Sequence, residues 1–449
     1  VNLMLKQVLF SNYRSISFKE LAFFFLPLGF SSLLVNLSHI LINATLARSP
    51  YPEATIASYA VAMSLFGLFE KPVVLLRQTC SALVRDRISF AAMSKVTAYT
   101  LAAIFLLSLL IAYSPLSEWI FRYGFGAEEA LVNQTTAIYQ ILMFVTIFSG
   151  LRCLFHGIII YNRLTKWLTV GMVIRLIVMG MVALFFIATE HVHDGRVGAI
   201  IFLIGMFIEC SVAVWEGFRL RKAMPEEIPD HPVHSVRPIF TFYRPLIFAS
   251  IIAVLISPII HAFLGWTDEA VSALASFAIA SNVSNMVLSF FTYGHQTVLN
   301  FYKQHPRDVI RFTAMISLLP ALLLAAVSFT PVGPWFLTTI MGLSGELHSQ
   351  SLLILRIYIL FALVFPWLDF CNGLLMLNGL TRIMAYSQLA NFTVVLVSAF
   401  SLALWQPEWN GMIGALALSL GVLAEFAVDS IALNRKGNKF AGIKRSAHG

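Results

Sequence analysis

Apolar stretches of about 18 residues or more recur along the whole chain, and each is long enough to cross a hydrocarbon core of roughly 30 Å. The expected spans are 20–46, 54–76, 97–114, 133–161, 167–188, 197–218, 240–264, 270–301, 311–330, 347–377, 383–404 and 411–433. That pattern predicts an all-α polytopic membrane protein of about twelve helices rather than a soluble enzyme. Composition agrees, because 59% of the 449 residues are hydrophobic and only 12% are charged, roughly half the charged share of a soluble globular protein.

A formal charge of +8 would suit a nucleic-acid binder, but its distribution argues otherwise. Of 30 basic residues, 23 fall in the loops of one side, against Arg48, Arg122 and Arg196 on the other. The positive-inside rule then places both termini in the cytoplasm, and the expected location is the cytoplasmic (plasma or inner) membrane. The opposite loops are acidic, with Glu53, Glu118, Glu128, Glu190, Asp194 and Glu269 among them. The stretch Val1–Lys19 mixes Lys6, Asn12, Arg14 and Lys19 with short apolar pieces, so no cleavable signal is expected. Cys80, Cys153, Cys210 and Cys371 lie in or beside apolar segments without a CxxC and read as buried thiols.

The halves resemble each other. ASYAVA at Ala57–Ala62 is matched by ASFAIA at Ala275–Ala280, an offset of 218, and Pro27-Leu28 by Pro245-Leu246 at the same offset. Ser114-Pro115, Trp119 and Phe125-Gly126 are matched by Thr330-Pro331, Trp335 and Met341-Gly342 at an offset of 216. His156-Gly157, Asn162, Leu164, Thr165 and Lys166 are matched by Asn372-Gly373, Asn378, Leu380, Thr381 and Arg382, again at 216. One two-residue gap reconciles all four matches, as a duplication requires. Six spans separate equivalent positions, so the two halves are parallel repeats about an axis near the membrane normal. The expected organisation is a six-helix lobe over 1–218, a cytoplasmic linker over 219–239, a second lobe over 240–434 and a basic tail over 435–449. A cleft between two such lobes suits alternating access.

Two six-helix lobes, a proline in the first span of each and a long cytoplasmic connection resemble the multidrug/oligosaccharidyl-lipid/polysaccharide (MOP) exporter superfamily, which includes the multidrug and toxin extrusion (MATE) proteins and the lipid II flippases. Within it the chain is most similar to the progressive ankylosis (ANKH) family. The passages that carry the likeness are FLPLG at Phe25–Gly29, ASYAVAMSLFGLFEKP at Ala57–Pro72, RDR at Arg85–Arg87, YRPL at Tyr243–Leu246, Tyr293-Gly294 and His305-Pro306. These matches are short and spread over most of the chain. Animal members are associated with export of pyrophosphate, ATP and citrate, so the resemblance implies an anion exporter by analogy. Asn36 and His39 depart from the animal pattern, in which acidic residues are usual there. If those acids couple ions, the mechanism here differs.

No GxxxxGK[ST], HExxH, GxSxG or Gly-rich phosphate loop is present, so the energy is expected from a gradient or from the substrate, and no cofactor is expected. Ionisable groups inside spans are costly and usually face protein or water. They are Glu70, Lys71, Arg152, Arg175, Glu209, Arg356, Asp369, Glu425 and Asp429. Four of the nine are basic, which suits an anionic substrate better than a drug cation, since an arginine fork matches carboxylate and phosphate oxygens.

Each candidate has a plainer reading beside it. Glu70-Lys71-Pro72 reads either as a helix break with a local ion pair or as part of a cleft. Arg152 and Asp369 read as a bridge between lobes or as substrate contacts, and Arg175 and Arg356 as cleft lining or as partners of Glu209, Glu425 or Asp429. The last three acids are expected to be interfacial charges. Asn36, His39 and Asn43 share one stripe of the first helix, and His39 has the chemistry to couple protons. Asn282 and Asn285 share a face of the eighth span, with Ser281, Ser284, Tyr293, His295 and Gln296 near them. Both polar sets serve equally well as interhelical hydrogen bonds. Glu190–Asp194 (EHVHD) alternates two histidines in a short loop, where a solvated loop is expected rather than a metal site.

The sequence therefore predicts a secondary-active exporter of small anionic metabolites, a monomer coupled to H+ or Na+. Its rivals are cation-coupled MATE-type multidrug efflux, a lipid-linked glycan flippase, and a non-transporting scaffold or receptor that kept the fold.

Overall fold

The computed structural model describes residues 15–124, 129–340 and 345–446. Lys6, Asn12, Arg14, Glu128 and the pairs 125–126 and 341–342 lie outside the described residues. Among the described residues twelve helices are long and apolar enough to cross a membrane, and no strand occurs. They are Phe18–Leu46, Pro52–Leu83, Arg87–Ala112, Leu131–Tyr161, Lys166–Ala188, Arg196–Ala223, Val236–Leu264, Ala270–Phe301, Pro306–Phe329, Gly345–Leu377, Thr381–Trp405 and Met412–Arg435. The chain is an integral multi-pass membrane protein.

Several ends differ from the sequence reading. The third span begins ten residues earlier, at Arg87, because Asp86 and Ser89 form a reciprocal capping box there, which an apolar average over Arg87 and Lys95 cannot register. The second span runs unbroken through Pro72, so Glu70-Lys71-Pro72 is not a helix break. The eighth and ninth spans are each interrupted, at 290–293 and at Leu318. In the ninth, Pro320 withholds the amide that Ile316 would have received. The sixth helix extends to Ala223 and the seventh starts at Val236, leaving 224–235 as the connection, and the last helix continues to Ser446 through most of the expected tail.

The chain divides into two compact units, Phe30–Ile247, and Phe248–Gly449 together with the residues up to Gly29. Their boundaries fall inside the first and seventh spans, two residues after Pro27 and Pro245, and not in the connection between them. The start of the first helix belongs to the C-terminal unit because its aromatic side chains pack there. Phe24 meets Phe301 at 5.1 Å between ring centroids, and Phe25 meets both Phe290 and Phe312 at 5.8 Å. Similarly, Tyr243 near the start of the seventh helix donates its hydroxyl to the Pro72 carbonyl at 2.6 Å within the N-terminal unit.

Inside the units the duplication holds contact by contact. A side chain on Gly198 would come within 2.9 Å of Ile42 and 3.1 Å of Tyr59. Gly414, 216 residues on, faces Ile260 at 2.8 Å and Phe277 at 2.6 Å, the residues 218 beyond Ile42 and Tyr59. The fourth and tenth spans end alike, with Asn162 Nδ2 donating to Ile158 O at 2.8 Å and Asn378 Nδ2 to Leu374 O at 2.7 Å. The residue that follows is left-handed in both, Arg163 at φ 61° and Gly379 at φ 68°. Only the second copy uses the residue that suits that conformation. Each unit also carries a short helix and a π-turn before its fourth span, Leu116–Trp119 with Ile120–Gly124 and Val332–Trp335 with Phe336–Ile340.

The connection 224–235 is held to the third helix. Asp86 accepts the Ser89 amide at 2.8 Å, the Ser89 hydroxyl at 2.7 Å and the Ile228 amide at 3.0 Å, while Arg87 donates to Lys222 O at 2.7 Å and to Pro225 O at 3.0 Å. Burial disfavours the Asp86 carboxylate, but the Ser89 and Ile228 hydrogen bonds and nearby His231 outweigh it and hold its pKa below the usual range. A carboxyl whose folded pKa is lowered stabilises fully above its unfolded value of about 4 and loses that contribution as pH falls through the folded value. Asp86→Ala should cost about 1–2 kcal/mol at neutral pH. Thermal unfolding in detergent should show the variant converging on the wild type below about pH 4, and a constant gap down to acid pH would contradict the assignment.

Candidate functional site

The helices of the N-terminal unit bring five polar residues together in the membrane interior. Arg152 Nη1 donates to both oxygens of Glu209 at 3.0 Å, and Arg175 Nη1 donates to Glu209 Oε2 at 2.8 Å. Arg152 Nη2 donates to Ser149 Oγ at 3.2 Å and lies 3.9 Å from Glu70 Oε1, and Ser149 donates its own hydroxyl to Glu70. Two arginines and two glutamates from the second, fourth, fifth and sixth spans thus neutralise one another. Arg175 is the largest fully buried side chain, 1% exposed, and its guanidinium stands over the Phe202 ring at 5.1 Å. His39 shares that ring at 5.5 Å between centroids, and buried His156 and Tyr59 lie within electrostatic reach of Glu209 and Arg175 respectively.

This arrangement settles several partners. Within its own unit Arg152 bridges to Glu209 and Glu70, and within the other Asp369 faces His295. Arg175 takes the buried-pair alternative with Glu209. Glu209 is 2% exposed and is the hub of the cluster, not an interfacial charge.

In the C-terminal unit Asp369 caps the restart of the interrupted eighth span. Its Oδ2 accepts the His295 amide at 2.7 Å and its Oδ1 faces His295 Nδ1 at 2.9 Å, with Gln296 Nε2 against His295 Nε2 at 3.1 Å. Arg356 is exposed, lies over the Phe329 ring at 4.8 Å and donates to Ser328 O at 3.4 Å. It therefore reaches along the ninth helix instead of joining a buried carboxylate. Glu425 and Asp429 are buried, which corrects their reading as interfacial charges.

Of the remaining candidates, Asn36 and His39 are half-buried, and Asn43, Lys71, Asn282 and Asn285 are exposed. Ser281 reaches Tyr358 at 2.7 Å between hydroxyls. The four cysteines are buried and unpaired, and His191 and His193 face each other at 5.8 Å in their loop. Sequence reasoning missed Ser149, Asn391 and the buried Glu216, which pairs with Arg219 at 3.0 Å. The repeat offset was the signal available for Asn391, because it stands 216 residues after Arg175 just as Glu425 does after Glu209.

A consistent asymmetry follows. Beyond the first turn of each span, the carboxylates Glu70, Glu209, Glu216, Asp369, Glu425 and Asp429 are all buried or half-buried, whereas Lys71 and Arg356 are exposed and have no carboxylate partner among the described residues. Glu70 turns inward to Arg152 and Ser149 and leaves its neighbour Lys71 uncompensated.

No protein-family model and no curated protein matches the chain. Solved structures do. The bent form of the Vibrio cholerae MATE transporter VcmN superposes with a TM-score of 0.72 at 17% identity, over 94% of this chain and 98% of that one. A MOP superfamily transporter from Pyrococcus furiosus, described as having a binding pocket of reverse polarity that suggests a different function, gives 0.72 at 13% identity over 94% and 96%. The eukaryotic MATE transporter AtDTX14 gives 0.72 at 12% identity over 94% and 97%. The chain has the twelve-span fold of these MATE/MOP transporters.

Proposed function

We propose that this protein is a secondary-active transporter that works by alternating access of its two lobes and exports small anionic metabolites, of the citrate, pyrophosphate or nucleotide class. The observation that carries the anionic reading is that, beyond the first turn of each span, the carboxylates turn inward and the exposed charges, Lys71 and Arg356 among them, are basic. An anion meeting such a surface gains attraction without first displacing a bound carboxylate. Arg152 and Arg175, already paired and buried, serve the N-terminal unit as a strut and not as anion ligands. The reverse polarity described for the binding pocket of the Pyrococcus furiosus neighbour supports keeping an anionic substrate within reach of this fold, and closeness to the progressive ankylosis family, itself part of this proposal, implies the same substrate class. The absence of a nucleotide-hydrolysis motif supports a gradient of H+ or Na+ as the energy source.

The test is flux in proteoliposomes. Lys71→Glu should reduce saturable uptake of labelled citrate or pyrophosphate at least about tenfold, a loss of roughly 1.4 kcal/mol in the transport-competent complex, while Lys71→Arg retains most of it. Unchanged uptake in Lys71→Glu contradicts the anionic surface. The second reading, cation-coupled multidrug efflux of the MATE type, is favoured by the two buried acids Glu425 and Asp429 and predicts gradient-driven movement of a cationic dye instead.

A further inference from the structure

The charge cluster of the N-terminal unit has a counterpart in the C-terminal unit whose chemistry is reversed. Glu209 corresponds to Glu425, Arg175 to Asn391, Arg152 to Leu368 and Ala213 to Asp429, all at the offset of 216. The contact itself is conserved, since Asn391 Nδ2 donates to Glu425 Oε2 at 2.6 Å where Arg175 bonds Glu209. The glycine beside it is conserved too. A side chain on Gly205 would come within 3.3 Å of Arg175, and one on Gly421 would fall on Asn391 Oδ1. One copy thus holds a single acid between two arginines, and the other holds two acids four residues apart on one helix face with no arginine.

We propose that Glu425 and Asp429 form a proton-binding carboxyl pair. Glu425 is 7% exposed and Asp429 is 0% exposed. Among the described residues both Asp429 oxygens lack a hydrogen-bond partner, as does Oδ1 of Asn391, itself 5% exposed. Ser387 approaches Asp429 from the eleventh span, but its hydroxyl donates to Met384 O at 3.2 Å. From the tenth span Cys371 faces the pair, its sulfur 3.9 Å from Ser430 Oγ. The helix Ala270–Ser289, which packs against the last helix, carries no titratable side chain. Among the described residues no basic group acts on either carboxylate. A buried, uncompensated carboxylate is expensive, and two within one helical turn cannot both stay ionised, so at least one takes up a proton. Asp429, enclosed and unbonded, is the group that gains most from becoming neutral.

That the proton drives transport rests on the function proposed above, but its presence does not. The test is infrared spectroscopy of the purified full-length protein in lipid at pH 7. The expected spectrum contains a protonated carboxyl carbonyl band that is lost or strongly reduced in Asp429→Asn, and reduced in Glu425→Gln. Both amides mimic the neutral acid, so both variants should fold. The pair is refuted if the band is absent from the wild type or persists unchanged in both variants. It is also refuted if sodium at constant pH abolishes the band, which would make the site one for a metal cation. Failure of anion flux with the band present would remove the transport reading and leave the proton site standing.

Discussion

Glu209→Gln is expected to destabilise the protein by about 3–5 kcal/mol, because it leaves buried guanidinium groups without their counter-charge. Arg175 is 1% exposed and among the described residues forms an ion pair with Glu209 alone, and Arg152 would keep the longer approach to Glu70 at 3.9 Å. Both side chains are buried, Arg175 almost completely, so solvent replaces the lost carboxylate poorly. The double variant Arg175→Met with Glu209→Gln should recover part of the loss, since one of the stranded charges is removed with the acid. Thermal unfolding in detergent reads both. Equal melting temperatures for Glu209→Gln and the wild type would mean that the cluster is not the strut described here.

The second large effect belongs to the duplicated glycine seats. A side chain on Gly157 would fall on Cys80 and come within 2.9 Å of the Arg77 carbonyl, and one on Gly373 would come within 2.7 Å of Val298 and 3.1 Å of the His295 backbone. Gly157→Leu and Gly373→Leu are each expected to cost more than the about 1–3 kcal/mol typical of overpacking, because backbone stands in the way and cannot repack as a side chain can. Recovery of monodisperse protein by size-exclusion chromatography should fall in both. A large loss for one and none for the other would show that the two seats are not equivalent.

The spans and the duplication were legible in the sequence because both are properties of long apolar runs and fixed spacings. ASYAVA and ASFAIA mark the face on which Ser58 and Ser276 sit buried in their respective helices, and Pro27 and Pro245 mark the place where the units divide. Helix starts were less legible. The Asp86–Ser89 cap, which sets the third span, is a local hydrogen-bond pattern in polar sequence. Side-chain partners were least legible. Arg175 and Arg356 look alike in an apolar context, yet one bonds Glu209 in the interior and the other lies over exposed Phe329. The difference lies in which face of the helix each occupies, and the nearly uniform apolarity of these helices hides that face. The equivalence of Arg175–Glu209 and Asn391–Glu425 could have been read by carrying the 216 offset beyond the motifs to single charged residues.

The decisive measurement is uptake into proteoliposomes of labelled citrate, pyrophosphate and ATP beside a cationic dye, with and without proton and sodium gradients. The expected result is saturable, gradient-dependent movement of at least one of the anions, lost in Lys71→Glu, with no movement of the dye. Gradient-driven dye movement without anion flux would contradict it.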